Sequence, residues 1–337
     1  MSRPATTRRL IGTAVVATAL AVALSACGVT NAAGTAASDV GPIKSLQVMV
    51  PNTPGGGYDV TGRSAVKVMD ELGITVDTEV TNLPGAGGTV GLARTITESG
   101  NGNFLMVMGL GVVGAAYTNE TDARIADTTP IARLVEEAGA IFVPANSPYA
   151  TLDDLVTAWK ANPAGFAIGG GSSPGGPDHL LPMQFADAVG IQASTVNYVA
   201  YDGGGELLPA VLGGQLQAAF SGYSEFLEQV ESGDLRVLAV SGAERVPVLP
   251  DIPTLTEEGV DLVFTNWRGL VAPPEITDAQ KTALIDALSA MHESDEWAVV
   301  LKANGWTDAF VTGDDFASFL TEQDKRVETV LKQLGLV

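Results

Sequence analysis

Two glycine-rich segments contain the residue types best suited to binding an anion. Residues 54–59 read PGGGYD and residues 174–179 read PGGPDH, and each lies between a strand-like and a helix-like stretch. Glycines let a backbone approach a ligand closely, and the first turn of a helix offers N–H groups with partial positive charge. Asp59 and Asp178 are expected to cap these helices rather than to react. The pattern predicts an anion-binding loop on each side of a cleft; ordinary tight turns are the alternative interpretation.

The second segment also contains the side chains of a serine hydrolase. Ser172 and Ser173 lie a few residues before His179, and Asp178 is its neighbour. Neither serine lies in a Gly-x-Ser-x-Gly turn, and residues so close in sequence rarely form a working triad. We therefore predict no catalytic residue, with His179 donating a hydrogen bond to the loop or to a ligand. A secreted hydrolase that uses Ser172 or Ser173 with His179 is the alternative hypothesis.

Other motifs give weaker signals for cofactors and metals. Residues 109–114 read GLGVVG, the glycine pattern of dinucleotide-binding proteins, but the polar run at residues 117–122 ends any helix early. The aspartate pairs at residues 153–154 and 314–315 fall at helix starts, where they complement the helix dipole. We therefore predict neither a cofactor nor a metal site.

Strand-like and helix-like stretches alternate, which places both glycine-rich loops after strands. Short apolar or alternating runs predict strands at residues 46–50, 74–80, 104–108, 141–143, 166–168, 196–199, 218–221 and 235–240. Helices are expected up to residue 71, at residues 89–98, after a capping Thr151, from about residue 178, and over most of residues 278–336. This alternation predicts an α/β fold with parallel sheets, whose ligands bind at the carboxyl ends of the strands.

Length and composition narrow the class of protein. A chain of 337 residues exceeds what one hydrophobic core usually serves, so two lobes are expected. The 46% hydrophobic content is typical of a globular protein, and a single cysteine excludes a disulfide framework. The formal net charge of −21 argues against nucleic acid and against a basic membrane-binding face. Helix dipoles can still attract an anion locally.

The N-terminal residues predict an export signal and a lipid anchor. Three arginines precede an apolar run at residues 10–24, which suits a signal peptide and is short for a membrane span. The run ends in Leu-Ser-Ala-Cys, so we predict cleavage after residue 26, lipidation of Cys27 and a flexible tether over residues 27–42. An ordinary signal peptide is the alternative. The mature protein is expected to be extracytoplasmic and lipid-anchored to the cell membrane.

Several segments together resemble one receptor family. They read VMVPNTPGGGYD at residues 48–59, NLPGAGG at 82–88, GSSPGGPDHL at 171–180, YDGGGE at 201–206 and NWRG at 266–269. In order and spacing they are similar to the substrate-binding receptors of tripartite tricarboxylate transporters, the Bug-type extracytoplasmic solute-binding proteins. The resemblance runs from about residue 43 to residue 337.

The resemblance implies an α/β fold with two lobes, the clamshell of type II periplasmic binding proteins, and a mainly parallel sheet in each lobe. Residues 43–143 and 266–337 would form one lobe and residues 144–265 the other, with strand-like crossings at residues 143–144 and 264–271. It also implies a monomeric, non-catalytic receptor without a cofactor. A di- or tricarboxylate resembling citrate would bind between the lobes, which then close and pass it to the membrane subunits of the transporter.

Carried onto this sequence, the resemblance assigns ligand-binding residues to both lobes. In the first lobe they are Thr53, Gly55, Gly56, Gly57, Tyr58, Asn82, Gly85, Ala86, Gly87 and Gly88. In the second lobe they are Ser172, Ser173, Gly175, Gly176, His179, Tyr201, Asp202, Gly203 and Ser221. Tyr58 and residues 202–205 depart from the commoner family pattern. The sequence leaves open whether Trp267 and Arg268, in the second crossing, reach the cleft.

Overall fold

The computed structural model describes residues 42–201 and 203–337. The signal peptide, Cys27, most of the tether and Asp202 lie outside the described residues, so what the sequence predicts for them stays a prediction. Within those two ranges, no helix combines the length and the apolar character that crossing a membrane requires.

Strands and helices alternate through the described residues, as the sequence predicts. The strands are β1 (Ile43–Lys44), β2 (Gln47–Val50), β3 (Thr75–Val76), β4 (Glu79–Asn82), β5 (Phe104–Gly109), β6 (Thr129–Pro144), β7 (Ala167–Gly170), β8 (Asn197–Ala200), β9 (Ala218–Gly222), β10 (Leu235–Val240), β11 (Thr265–Ala272) and β12 (Thr307–Thr312). The helices are α1 (Gly57–Glu71), α2 (Thr89–Thr97), α3 (Leu110–Thr118), α4 (Leu152–Ala161), α5 (Pro177–Ala188), α6 (Gly204–Leu212), α7 (Leu227–Glu231), α8 (Asp278–His292), α9 (Asp295–Asn304) and α10 (Gly313–Gln333).

One mixed sheet contains two groups of parallel strands, one for each lobe of the clamshell. In the first group β2 lies between β4 and β5, and in the second group β7 lies between β8 and β9. The antiparallel strands β11 and β6 join the groups, which gives the order β4-β2-β5-β11-β6-β9-β7-β8. Strands β10 and β12 also pair with β6. The carboxyl ends of β2 and β7 lead directly into the two glycine-rich loops.

Strand β6 is shared by the two lobes and differs most from the sequence prediction. Its residues 129–138 pair with β11, and its residues 139–144 pair with β9 and β10. The sequence predicts a strand only at residues 141–143, because charged residues such as Arg133 and Glu137 interrupt the apolar pattern before them. The lobe boundaries at residues 143–144 and 265–266 stay predictions; β6 exchanges partners at Ala138–Gly139, close to the first of them.

Two further elements differ from the prediction. The single strand expected at residues 74–80 is wrong, because Asp77 adopts a left-handed conformation, with φ of 59°, and separates β3 from β4. The C-terminal segment expected to be mostly helical also contains β12, which pairs with β6. The alternation of apolar and polar residues in β12 is too short to predict a strand from the sequence. Its pairing with β6 is what identifies it as a strand.

Ser241 forms hydrogen bonds with both chain segments that pass between the lobes. Its Oγ accepts a hydrogen bond from Gly139 N at 2.8 Å and donates one to Phe264 O at 2.7 Å. Its backbone N–H donates to Gly139 O, and its carbonyl accepts from Phe264 N, each at 2.8 Å. The residue is 1% exposed, so water cannot replace these contacts. Ser241 therefore joins β6 to the segment that leads into β11.

We expect Ser241→Ala to lower the free energy of unfolding by about 1–3 kcal/mol, because the substitution leaves a buried N–H and a buried carbonyl with one partner fewer. Denaturant unfolding of the two proteins would measure this difference. Ser232→Ala, which removes an exposed hydroxyl, is the control and should change stability by less than about 0.5 kcal/mol. Equal effects of the two substitutions on the free energy of unfolding would show that the hydrogen bonds of Ser241 do not stabilise the crossing.

Candidate functional site

A cleft of about 710 Å³ lies between the two glycine-rich loops. The loop after β2 lines one side together with residues 84–88. The loop after β7 lines the other side together with residues that follow β8, and β11 contributes Asn266 and Arg268. Both loops follow the carboxyl ends of parallel strands, which is the usual position of a ligand site in such sheets.

Four helices begin at this cleft, and each begins with a glycine rather than with a capping side chain. The N-cap residues of α1, α2, α5 and α6, all of them in the cleft lining, are Gly56, Gly88, Gly176 and Gly203. Hydroxyl side chains cap α4, α8 and α9, which begin elsewhere. A capping side chain would occupy the first N–H groups of a helix, so the glycine N-cap leaves such groups accessible at α1. At α5 they are not accessible, because Pro177 has no N–H and Asp178 N donates to Ser172 Oγ at 3.4 Å.

Asp59, which does not line the cleft, stabilises the conformation of the first loop. Its carboxylate accepts hydrogen bonds from Gly55 N at 2.9 Å, Asn82 Nδ2 at 2.8 Å and Arg63 Nε at 2.9 Å. Burial by itself would raise the pKa of Asp59, but these hydrogen bonds outweigh it and the pKa lies below its ordinary value. The expected N-cap role is wrong because Gly56 takes that position; the expected loop-shaping role is confirmed.

His179 supports the second loop in a similar way. Its Nδ1 accepts a hydrogen bond from Gly175 N at 3.0 Å, and its ring packs edge-on against Tyr198. Burial lowers the pKa of His179 to about 4, so the ring is neutral at neutral pH. The expected donor role toward the loop is therefore wrong, because the ring nitrogen accepts. Within the described part of the chain, no hydrogen bond joins His179 to Ser172 or Ser173, as a serine hydrolase would require.

Arg268 lies in the cleft wall and pairs with a buried acid. Its Nη2 is 2.8 Å from Glu137 Oε2, and the two side chains are 4% and 0% exposed. The Tyr58 hydroxyl nearby accepts a hydrogen bond from Gly111 N at 3.0 Å. Burial, partly offset by Arg268, raises the pKa of Tyr58 to about 12. Tyr58 is therefore a neutral phenol in the lining.

A pair of carboxyl groups converges on one hydroxyl in the second lobe. Ser221 Oγ lies 3.3 Å from Asp178 Oδ2 and 3.2 Å from Glu225 Oε2. Asp178 Oδ2 also accepts from Gly171 N at 3.0 Å. Burial and the charges of Glu225 and Glu137 raise the pKa of Asp178 well above its ordinary value, and burial and Glu137 raise that of Glu225. The N-cap expected at Asp178 is instead Gly176.

Most of the site residues predicted from the sequence meet at this cleft. Those that line it are Thr53, Gly55, Gly56, Gly57, Tyr58, Gly85, Ala86, Gly87, Gly88, Ser172, Ser173, Gly176, Tyr201 and Gly203. Asn82, Gly175, His179 and Ser221 do not line it and instead hold its loops or its acids. Asp202 lies outside the described residues. A ligand-binding role for each of these residues stays a prediction.

Four charged residues of the described lining, Arg268, Asp178, Glu206 and Glu225, were not assigned to the site from the sequence. Arg268 was left open, Asp178 was interpreted as a cap, and Glu225 was not singled out. Glu225 follows the end of β9 in a single 3-10 turn, so its proximity to Asp178 has no local signal in the sequence. Trp267 packs edge-on against Phe316 and Phe319 and belongs to the core rather than to the lining.

The buried His179 predicts that stability falls in mild acid. Its pKa is about 4 in the folded protein against an ordinary 6.5, so the unfolded chain takes up a proton first as the pH falls through this window. We expect wild type to lose about 2 kcal/mol more stability between about pH 7 and pH 5 than His179→Asn. The Asn amide oxygen can still accept from Gly175 N. Urea unfolding at the two pH values measures this, and an identical loss in both proteins would contradict the assignment.

The chain matches one protein family over most of its length. The sequence model of the family described as "Tripartite tricarboxylate transporter family receptor", TctC, matches residues 62–336. The UPF0065 protein in the gbd 5' region of Cupriavidus necator is 28% identical over 324 residues, 94% of this chain and 95% of that protein. BugT from Bordetella pertussis is 27% identical over 307 residues, 88% of this chain and 91% of that protein.

Solved structures share the fold of the described residues. MatC from Rhodopseudomonas palustris with bound malate superposes with a TM-score of 0.75 at 23% identity, covering 86% of this chain and 99% of that chain. The periplasmic binding protein BugD superposes with a TM-score of 0.77 at 23% identity, covering 88% and 99%. The two-lobed periplasmic-binding-protein fold and the resemblance stated from the motifs are both confirmed. The chain belongs to the family of tripartite tricarboxylate transporter receptors, which are solute-binding proteins.

Proposed function

We propose that this receptor binds a di- or tricarboxylate in the cleft and delivers it to the membrane subunits of a tripartite transporter. The observation that carries the proposal is the convergence of four glycine-capped helix starts on one cleft. The positive ends of the helix dipoles favour carboxylates there, and the start of α1 adds accessible N–H groups. MatC holds malate, and a second R. palustris protein of the same fold holds adipate; both ligands are dicarboxylates.

We further propose that the receptor is extracytoplasmic, monomeric and non-catalytic, and is anchored through a lipid on Cys27. The apolar run that ends in Leu-Ser-Ala-Cys supports the export signal and the anchor. Membership of a family of transporter receptors supports the absence of catalysis. The engagement of His179 Nδ1 by Gly175 N argues against the hydrolase alternative.

Contacts beside the cleft suggest how the lobes close. Helix α3 of the first lobe approaches the second glycine-rich loop so closely that a Cβ on Gly114 would lie 1.8 Å from Gly175 O. Thr118 Oγ1 donates a hydrogen bond to Pro174 O at 3.0 Å in the same contact. We propose that this contact forms when the lobes close on a ligand and is lost when they open.

Gly56→Val tests the carboxylate-binding role of the first loop. A Cβ at this position would lie 2.5 Å from Asn52 Nδ2, so the Asn52 side chain must turn away. The branched Val side chain then occupies the cleft lining beside the N–H groups of the loop. We expect at least about 10-fold weaker binding of whichever of malate, adipate and citrate binds wild type, by calorimetry. Ala303→Val, at an exposed position of α9 outside the cleft lining, is the control and should bind as wild type does. Unchanged affinity in Gly56→Val would contradict the role of the loop.

Gly114→Ala tests closure separately, because Gly114 lies outside the cleft lining. The added methyl group collides with the backbone of Gly175, so the closed arrangement becomes less favourable while each lobe keeps its own core. We expect at least about 10-fold weaker carboxylate binding and an unchanged melting temperature without ligand. Small-angle scattering should show that ligand shrinks wild type but not the variant. Equal shrinkage in both proteins would rule out this contact as part of closure.

A further inference from the structure

The cleft carries more acidic than basic side chains, which is unexpected for a site that binds only anions. Among the described residues of its lining, the acidic ones are Asp178, Glu206 and Glu225, and the basic one is Arg268. The charge of Arg268 is already paired with Glu137. On the second-lobe side, a ligand that consists only of carboxylates would therefore meet acidic groups beside the starts of α5 and α6, and these groups oppose its charge.

The observed contacts give Asp178 and Glu225 fewer hydrogen-bond donors than two carboxyl groups can accept from. Ser221 Oγ approaches a carboxyl oxygen of each, at 3.3 Å and 3.2 Å, but a hydroxyl has one proton and can donate to one of them at a time. Gly171 N supplies a further donor to Asp178. Burial and the charge of Glu137 raise the pKa of both groups, and the charge of Arg268 only partly offsets this for Glu225.

A second observation also indicates a ligand that has both hydrogen-bond acceptors and hydrogen-bond donors. Arg268 is 3% exposed and lines the cleft, and within the described ranges its Nη1 has no hydrogen-bond partner. The buried Oδ1 of Asn266, two residues earlier on β11 and also in the lining, has none either. Buried polar atoms are nearly always paired. The unpaired Nη1–H of Arg268 requires a hydrogen-bond acceptor, and the unpaired Oδ1 of Asn266 requires a donor.

We propose that the ligand is a zwitterion, a carboxylate that also carries a protonated amino group, with the amino group bound between Asp178 and Glu225. This inference rests on the proposed function and narrows its substrate class from carboxylates to amino-carboxylates. The ligand carboxylate binds the helix starts of the first lobe. The ammonium group donates to Asp178 and Glu225 and supplies the positive charge that this side of the cleft lacks. Arg268 Nη1 donates to a further acceptor of the ligand.

Matched ligand pairs that differ only in the amino group test the proposal. Calorimetry on the full chain would compare aspartate with succinate and glutamate with glutarate. We expect the amino member of at least one pair to bind wild type about 10-fold or more tightly than its partner, since one charge-assisted hydrogen bond contributes this much. If carboxylates bind without preference for the amino member, the proposal is overturned and the proposed function stands. If no carboxylate binds, both are overturned.

Glu225→Gln shows whether the acidic pair is the source of the preference. The amide keeps the size of the side chain and removes its charge, so we expect about 10- to 100-fold weaker binding of the amino ligand and less than about 3-fold change for its partner. Asp178→Asn should act in the same direction. Glu231→Gln, an exposed position on α7, is the control and should match wild type. The melting temperature without ligand confirms that each variant is folded. Equal weakening of both ligands by Glu225→Gln would overturn the assignment.

Discussion

A buried ion pair between Arg268 of β11 and Glu137 of β6 is the contact on which the cleft depends. Its atoms are 2.8 Å apart, and both side chains are almost fully buried. Leaving one such charge unpaired costs about 3–5 kcal/mol, so the two long strands must keep the register that brings these residues together. Glycines make room for the pair: a Cβ on Gly57 would lie 2.6 Å from the guanidinium, and one on Gly222 would lie 2.6 Å from the Glu137 carboxylate.

The ion pair also lies where the two lobes meet. Strands β6 and β11 belong to the first lobe over part of their length, and β6 continues into the second lobe as a partner of β9 and β10. If the lobes open as proposed, the bend falls near Ala138–Gly139, because among the described strands only β6 pairs with strands of both groups. Ser241 restrains the same region by forming hydrogen bonds with both Gly139 and Phe264. The crossing is thus fixed by polar contacts in an apolar interior.

We propose that the backbone of the cleft attracts carboxylates and that its side chains discriminate among them. In the proposed function, helix starts with glycine N-caps attract carboxylate oxygens regardless of what else a ligand contains. Discrimination among carboxylates must then come from side chains that differ in charge and hydrogen bonding, such as Tyr58, Glu225 and Arg268. Under this proposal, a protein with a formal net charge of −21 can present an anion site, since salt screens surface charges beyond about 10 Å whereas the helix starts act on a ligand in direct contact.

The sequence by itself determined the α/β class, the two glycine-rich loops and most of the cleft lining, because alternating strands and helices place such loops at the carboxyl ends of parallel strands. Only the tertiary structure decided the charged part of the cleft. Arg268, Glu137 and Glu225 lie far apart in the chain, and their proximity follows from the pairing of β6 with β11 and β9. The length of β6 could not be predicted for the same reason, because its charged residues interrupt the apolar pattern. Glu137 is buried because Arg268 on the neighbouring strand compensates its charge and Ser224 donates hydrogen bonds to it.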